Sequence, residues 1–316
     1  MTELPTLGYG AAAAGNLYRA LDDDAARELL DTVWDTGIRY FDTAPHYGLG
    51  LSERRLGAML RERPRSQYVL STKAGRLLEE SPQTAGQRDD DIFEVPATHR
   101  RRWDFSPAGI RRSLEESLER LGLDRVDIIY LHDPEVSDQP VAEAVDRGLD
   151  ALAALRDEGL VTAIGVGTAD LDVIDRAVRT GLVDLVMLAG RYTLLEAPAA
   201  DHVVPLCRER GVGIVNAAVF NSGLLAAPTP RADSHYRYGD VPPDKLARAR
   251  QLARVCERFE VPLPAAAMQF GLREPAVRSV VVGAGRPDQV RENVARMELA
   301  IPEELWDALA TEGLMP

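Results

Sequence analysis

Short apolar runs rich in Val, Ile and Leu alternate with longer amphipathic, charge-bearing segments from one end of the chain to the other, the pattern of repeated βα units. The apolar runs predict eight strands, over residues 6–10, 38–42, 68–73, 126–132, 161–167, 182–188, 212–218 and 278–283. The intervening segments predict helices over 23–36, 52–63, 107–121, 140–157, 171–180, 201–210, 243–259 and 287–297. Ser106-Pro107 reads as an N-cap followed by a helix-starting proline, and Gly37, Gly122, Gly159, Gly181 and Gly211 stand where a left-handed residue ends a helix. Strands apolar at nearly every position are covered on both faces. Eight βα units without a break therefore favour a closed (β/α)8 TIM barrel, an α/β fold, over an open sheet. An open doubly wound sheet would carry Gly-x-Gly-x-x-Gly after its first strand. Here Gly8-Tyr-Gly10 is followed by Ala13 in the third place, and the pairs at Gly165, Gly211 and Gly283 lack the third glycine too.

Two stretches break the rhythm. Residues 76–105 separate a strand from its helix, and residues 224–241 form a second excursion containing His235, Tyr236, Arg237 and Tyr238. Both follow strands, so both are expected at the carboxyl-end face where barrel active sites lie, either as lids or as plain surface insertions. The length of 316 residues leaves one domain or two open on its own; counting βα units assigns residues 1–316 to one barrel with long loops at its C-terminal face.

Charge narrows the partners. With 37 Lys+Arg against 50 Asp+Glu the chain carries −13, which argues against an extended nucleic-acid surface. Cys207 and Cys256 are too few for a disulfide framework or a multi-cysteine metal site, and the start Met1-Thr-Glu-Leu lacks the pattern of a signal peptide. The uncharged stretch 211–230 is interrupted by Asn216, Asn221, Ser222 and Pro228 and reads as a buried strand and loop, not a membrane span. A cytoplasmic protein acting on a small polar molecule is expected, with no metal.

Four polar residues stand at or just past the ends of apolar strands: Asp42 and Tyr47 in Phe41-Asp-Thr-Ala-Pro-His-Tyr-Gly48, Lys73 in Leu70-Ser-Thr-Lys73, and His132 in Ile129-Tyr-Leu-His132. Taken singly, Asp42 reads equally as a helix cap, Tyr47 as a loop anchor, Lys73 as a salt-bridge partner and His132 as a core histidine. In a barrel, however, these strand ends converge on one mouth. Only Lys73 and Lys245 among the 37 basic residues are lysines, so a lysine at a buried strand end points to a task arginine cannot perform. A lysine cation beside a phenol would bring the Tyr47 hydroxyl down from about 10, Asp42 would orient the lysine, and His132 would hold a substrate oxygen. This set suits proton transfer at an oxygen while hydride moves at the attached carbon. At the other end of the chain, Val280-Val-Val-Gly-Ala-Gly-Arg-Pro287 ends a strand with small residues and opens a helix, an arrangement that can receive a phosphate but resembles any βα turn.

These motifs, in this order and over essentially the whole chain, resemble the aldo-keto reductase superfamily. Within it the chain is similar to the branch of sugar 1-dehydrogenases acting on L-fucose and D-threo-aldoses, with relatives that oxidise pyridoxal or L-galactose. That likeness rests on Gly15-Asn-Leu-Tyr18, Gly75-Arg-Leu-Leu78, His132-Asp-Pro134, Gly190-Arg-Tyr-Thr-Leu-Leu-Glu196 and Phe220-Asn-Ser-Gly-Leu-Leu225. The resemblance implies a (β/α)8 barrel binding an extended NAD(P) without a Rossmann domain, and catalysis by Asp42, Tyr47, Lys73 and His132. It also implies cofactor contacts from Gly10, Thr168, Phe220, Asn221, Ser222, Gly223, Gly283, Ala284, Arg286, Gln289 and Asn293, and substrate contacts from Tyr18, His46, Trp103 and Tyr236. Oxidation of an aldose at C1 to a lactone, with Tyr47 as base, is the expected reaction. Gly283 and Gln289 replace cations that grip the 2′-phosphate in many members, so NAD is favoured and NADP stays open. Three other activities stay open: an NADPH-dependent carbonyl reductase, a Schiff-base aldolase working through Lys73, and a nucleotide-binding regulator without turnover.

Overall fold

The computed structural model describes residues 4–237 and 239–316; Met1–Glu3, read above for the lack of a leader, and Tyr238 of the second excursion lie outside the described residues. Its strands, in chain order, are β1 (Leu7–Gly10), β2 (Tyr40–Asp42), β3 (Val69–Ala74), β4 (Arg76–Glu80), β5 (His99–Trp103) and β6 (Ile128–His132), then β7 (Ala163–Thr168), β8 (Leu185–Ala189), β9 (Gly213–Ala217), β10 (His235–Tyr236), β11 (Gly239–Asp240) and β12 (Val277–Gly283). Eight of them close into a barrel of order β1-β12-β9-β8-β7-β6-β3-β2, every neighbouring pair parallel. Outside it run α1 (Asp23–Asp35), α2 (Leu51–Leu60), α3 (Pro107–Leu121), α4 (Val141–Asp157), α5 (Leu171–Arg179), α6 (Val203–Arg210), α7 (Pro243–Arg258), α8 (Leu263–Phe270), α9 (Pro287–Glu298) and α10 (Glu303–Thr311).

Strand pleat decides which residues reach the barrel interior, because successive side chains point to opposite faces. Tyr40, Ile128, Tyr130, Ala163, Leu185, Met187, Val215 and Val281 pack together as one cluster inside the barrel. Their sequence neighbours Phe41, Ile129, Leu131, Ile164, Val186 and Ile214 belong to the larger core between strands and helices. Extending the inward parity to the strand ends puts Asp42 above Tyr40 and His132 above Tyr130. On β3 the same register places Ser71 and Lys73 inward, whereas Thr72 between them faces α2 and donates to the buried Glu53 at 2.8 Å. Glu53 is in turn held by Arg120 of α3 at 2.6 Å.

The helix punctuation holds. Ser106 accepts from the Gly109 N–H at 3.1 Å, and Gly37, Gly122, Gly159, Gly181 and Gly211 all have positive φ. Several strands begin later than predicted: Ile38, Val126, Val161 and Val212 are buried in the outer core before ladder pairing starts, so an apolar run is longer than the strand it announces.

Two corrections follow from burial. Residues 76–105 are not loop throughout. β4 and β5 form an antiparallel hairpin with Arg76 opposite Trp103, and Phe93 and Val95 beyond it pack on Leu49 and Leu78 as a small apolar cluster of their own. In the second excursion, β10 and β11 pair antiparallel. Helices α8 and α10 were not anticipated. Nearly every residue of α8 is buried, so it shows no apolar-to-polar period, and α10 packs Leu305, Trp306 and Leu309 beyond the last strand, where no further βα unit was sought.

Candidate active site

The barrel mouth brings the four strand-end residues together. Lys73 Nζ donates to Asp42 Oδ2 at 2.6 Å, to the Thr43 carbonyl at 2.9 Å and to the Tyr47 hydroxyl at 3.0 Å. Lys73 and Asp42 are each 2% exposed, so this is a charge pair removed from water, and only good geometry with further hydrogen bonds makes such a pair tolerable. The further bonds are present: Ser71 donates to Asp42 Oδ1 at 2.7 Å, and the Tyr40 hydroxyl bonds both Ser71 at 3.1 Å and the Tyr130 hydroxyl at 3.3 Å. Burial pushes the Lys73 ammonium down, but Asp42 and then Tyr47 outweigh it and hold it above its ordinary value. Burial raises the phenols of Tyr40 and Tyr130, which therefore remain neutral hydrogen-bonding groups beneath the ion pair.

Tyr47 is held by its backbone. Its N–H donates to Ala44 at 3.1 Å and its carbonyl accepts from Ser52 at 3.2 Å, at the start of α2. The next residue, Gly48, sits at φ 61°, and a Cβ there would lie 2.2 Å from the Gly15 carbonyl oxygen. A Cβ on Gly15 would lie 2.7 Å from the Tyr47 carbonyl oxygen. The two backbones touch, and only glycine permits it at either position.

His132 faces Tyr47 with perpendicular rings whose centroids are 6.1 Å apart, and His46 stands 5.7 Å from His132. His46 Nδ1 accepts from Arg101 Nε at 2.7 Å, while the same guanidinium grips the buried Asp89 in a bidentate pair at 2.8 and 2.7 Å. The β4–β5 hairpin thus supplies the clamp that orients His46. Burial drives both imidazoles well below their ordinary value, aided at His132 by Arg76 and Lys73 and at His46 by Arg76, Arg101 and Lys73. Both are neutral at neutral pH. The carboxylate of Asp133, 3.5 Å from His132 Nε2, favours the tautomer that carries its proton there.

Linkage gives these shifts a measurable consequence. Below about pH 6.5 the unfolded chain takes a proton at each histidine that the folded chain refuses, so stability present at neutral pH is lost as pH falls. Each of the two is expected to add about 1.4 kcal/mol of destabilisation per pH unit once its unfolded form is fully protonated. Urea titrations between about pH 7 and pH 5 check this: His132→Gln should flatten the slope, and an unchanged slope would mean that His132 titrates normally.

A groove of about 750 Å³ opens beside the mouth. Gly283, Ala284, Arg286, Gln289 and Asn293 form one wall, Phe220, Ser222 and Gly223 another, and Tyr18 stands at its rim with its ring 5.4 Å from that of His235. Gly10, Thr168 and Asn221 are not part of the lining. Gly10 ends β1 in register with Asp42 on one side and Gly283 on the other. The Thr168 hydroxyl donates to the Glu135 carboxylate, and Asn221 is buried with Oδ1 unpartnered among the described residues. Trp103 lies in the hairpin under the Arg76 guanidinium, 5.8 Å from its ring. Tyr236 is drawn elsewhere: its hydroxyl donates to Glu196 at 2.6 Å, and its ring joins the cluster of Leu194, Leu195 and Leu224.

The groove fits a dinucleotide. Its wall is largely backbone at 283–285, it leads into the amino terminus of the 12-residue α9, and the N-cap Arg286 makes no side-chain cap there. Pro287 brings no N–H to the first turn and the Asp288 carboxylate already takes the N–H groups of Asp288 and Gln289, so what this wall offers a phosphate is close approach to the small residues 283–285.

Ser71, Tyr40, Tyr130, Arg76, Arg101 and Asp133 have no role assigned by the sequence alone. For the first three a signal existed: each lies two residues before one of the four strand-end residues, on the same face of its strand. Arg76 and Asp133 stand inside Gly75-Arg-Leu-Leu78 and His132-Asp-Pro134, which carry the resemblance, but their pairing, like the Arg101 clamp, depends on the hairpin. Among the described residues no helix is long and apolar enough to cross a membrane.

The sequence profile of the Aldo/keto reductase family matches residues 6–311. A D-threo-aldose 1-dehydrogenase of Pseudomonas sp is 54% identical over 315 residues, 99% of this chain and 95% of that one. A pyridoxal 4-dehydrogenase of Microbacterium luteolum is 39% identical, over 98% of this chain and 94% of its own. Among solved structures, the holo form of an aldo-keto reductase from Bacillus halodurans superposes with a TM-score of 0.76 at 25% identity, covering 99% of this chain and 93% of that one. The barrel, the strand-end tetrad and this full-length similarity agree: the chain belongs to the aldo/keto reductase family and is an oxidoreductase.

Proposed function

We propose that the protein oxidises an aldose at C1 to its lactone with NAD, working in the cytoplasm as one barrel domain. The observation that carries the chemistry is Lys73 Nζ, 3.0 Å from the Tyr47 hydroxyl and neutralised by Asp42 on its other side. The aldo/keto reductase family uses nicotinamide cofactors. Phe220, Ser222, Gly283 and the start of α9 would hold an oxidised nicotinamide dinucleotide, which would supply the acceptor for a hydride from C1.

Tyr47 takes the proton of the anomeric hydroxyl. The Lys73 cation and its hydrogen bond favour the phenolate, the form that can take that proton. His132, neutral and protonated on Nε2, donates to the same substrate oxygen and fixes its orientation. As the O–H and C1–H bonds break, the C1–O bond becomes the lactone carbonyl and Tyr47 leaves the step as a neutral phenol.

Groove charge supports NAD. Arg286 is paired with Asp288 at 3.1 Å, Arg296 with Glu292 at 2.7 Å, and Gln289 accepts from the Gly285 N–H at 2.9 Å. Both arginines at this wall are thus already matched by carboxylates, and an extra phosphate would meet Glu292 in the lining. The aldolase reading needs a neutral amine at Lys73, whereas Asp42 and Tyr47 hold it as the cation. A matrix of aldoses against NAD and NADP, followed by the near-ultraviolet absorbance of reduced nicotinamide, tests the proposal. Turnover of a sugar with NAD at least about tenfold faster than with NADP is expected. Reduction of simple carbonyls with NADPH and no oxidation of any aldose would overturn it.

A further inference from the structure

A second ion pair sits at the mouth, and the proton-transfer chemistry does not use it. Arg76, the first residue of β4, donates from Nη2 to Asp133 Oδ2 at 2.5 Å. The arginine side chain is 7% exposed and that of Asp133 is 29% exposed, so the guanidinium is buried while the carboxylate keeps an edge toward solvent. Asp133 directly follows His132 and is held at φ 40°, ψ 59°, in the left-handed region that a non-glycine residue occupies at a cost. That backbone places Oδ2 3.5 Å from His132 Nε2, the nitrogen that faces the substrate oxygen in the proposed reaction.

Two buried donors beside this pair have no partner among the described residues: Arg76 Nε and Trp103 Nε1, from residues directly opposite in the hairpin. An unmatched buried N–H is costly to a fold, and such groups in a native site commonly face a ligand. One carboxylate and one guanidinium side by side supply an acceptor and a donor, the combination that grips a pair of adjacent hydroxyls.

We infer that Arg76 and Asp133 form a subsite for the hydroxyl on the carbon next to the reacting one, so that the enzyme selects 1,2-diol substrates such as cyclic sugars over alcohols lacking that second oxygen. The inference rests on the aldose reading above and adds to it which substrate atoms are read. His132 fixes the oxygen on C1. The hydroxyl on C2 then falls beside the carboxylate that shares the His132 nitrogen, donating to Asp133 and accepting from Arg76. Neither residue moves a proton in the reaction; they are specificity residues.

The test uses an aldose that the wild-type enzyme oxidises and its 2-deoxy counterpart, with kcat and KM measured for both. Wild type is expected to prefer the full sugar by about 100-fold or more in kcat/KM, because a site built to bond a hydroxyl rejects the analogue lacking it. Asp133→Asn, whose amide tolerates the same left-handed backbone, should lower kcat/KM for the full sugar about 10- to 100-fold more than for the 2-deoxy sugar, any loss through the His132 tautomer being common to both. The double variant Arg76→Met/Asp133→Asn removes both charges together, so no buried cation is stranded, and should show the same collapse of preference. Equal losses on both sugars would mean the pair acts only through His132 or the hairpin and does not read the 2-hydroxyl, and would overturn the inference. Oxidation of aldoses without preference for the 2-hydroxyl overturns the subsite alone, whereas absence of any aldose oxidation overturns the aldose reading and the subsite with it.

Discussion

Tyr47→Phe is expected to lower kcat by about three orders of magnitude while leaving nicotinamide binding within about a factor of two, since a positioned acid-base group contributes about 10²- to 10⁴-fold. The phenyl ring keeps the contacts of the tyrosine, with Phe93 at 5.9 Å and His132 at 6.1 Å between ring centroids, and Lys73 keeps Asp42 and Thr43 as acceptors. The variant therefore loses one oxygen and little of the fold. Fluorescence titration with the reduced cofactor and single-turnover rates, measured on one preparation, separate binding from chemistry. Turnover near the wild-type rate would remove Tyr47 from the proton-transfer role.

Lys73→Met is expected to act on stability and activity together. It strands the Asp42 carboxylate, 2% exposed, with Ser71 as its remaining side-chain donor, and breaking a buried pair from one side costs about 3–5 kcal/mol. Activity should fall by at least about 10²-fold as the phenol loses its cation. The double variant Asp42→Asn/Lys73→Met distinguishes the two effects. Removing both charges should restore most of the stability, as replacement of a whole buried pair commonly does, and none of the activity. Urea unfolding gives the first quantity and steady-state oxidation the second. Recovery of activity in the double variant would show that the ion pair only holds the fold.

The barrel was legible because its strands are apolar on both faces and its helices are not, so the two element types differ in composition as well as period. The proposed catalytic set was legible because a barrel collects strand ends, and because Lys73 stands out in a chain that otherwise writes arginine. The same reasoning failed where the signal is not local. Helix α8 has no polar face to mark its period, since seven of its eight residues are buried. The 76–105 hairpin looked like a loop because its first strand, Arg76-Leu-Leu-Glu-Glu80, has no apolar–polar alternation and is matched against a run of three arginines, so the pairing shows only when both strands are in hand. Arg76 and Asp133 are 57 residues apart, and no spacing rule joins them. Conversely, Tyr236 was singled out as an aromatic in a mouth loop, but a phenol within reach of Glu196 has a stronger partner than a sugar hydroxyl.

The contact between Gly15 and Gly48 has a bearing on redesign. The short 3-10 helix Ala11–Gly15 presents Ala12 and Ala13 to the groove and rests its last residue on the backbone of Tyr47 and Gly48. The wall carrying Arg286, Gln289 and Glu292 has no comparable tie to the tyrosine turn. An engineer altering cofactor preference thus has two unequal places to work: substitutions along α9 address the proposed ligand alone, while those in the alanine segment also tug on Tyr47, the proposed base.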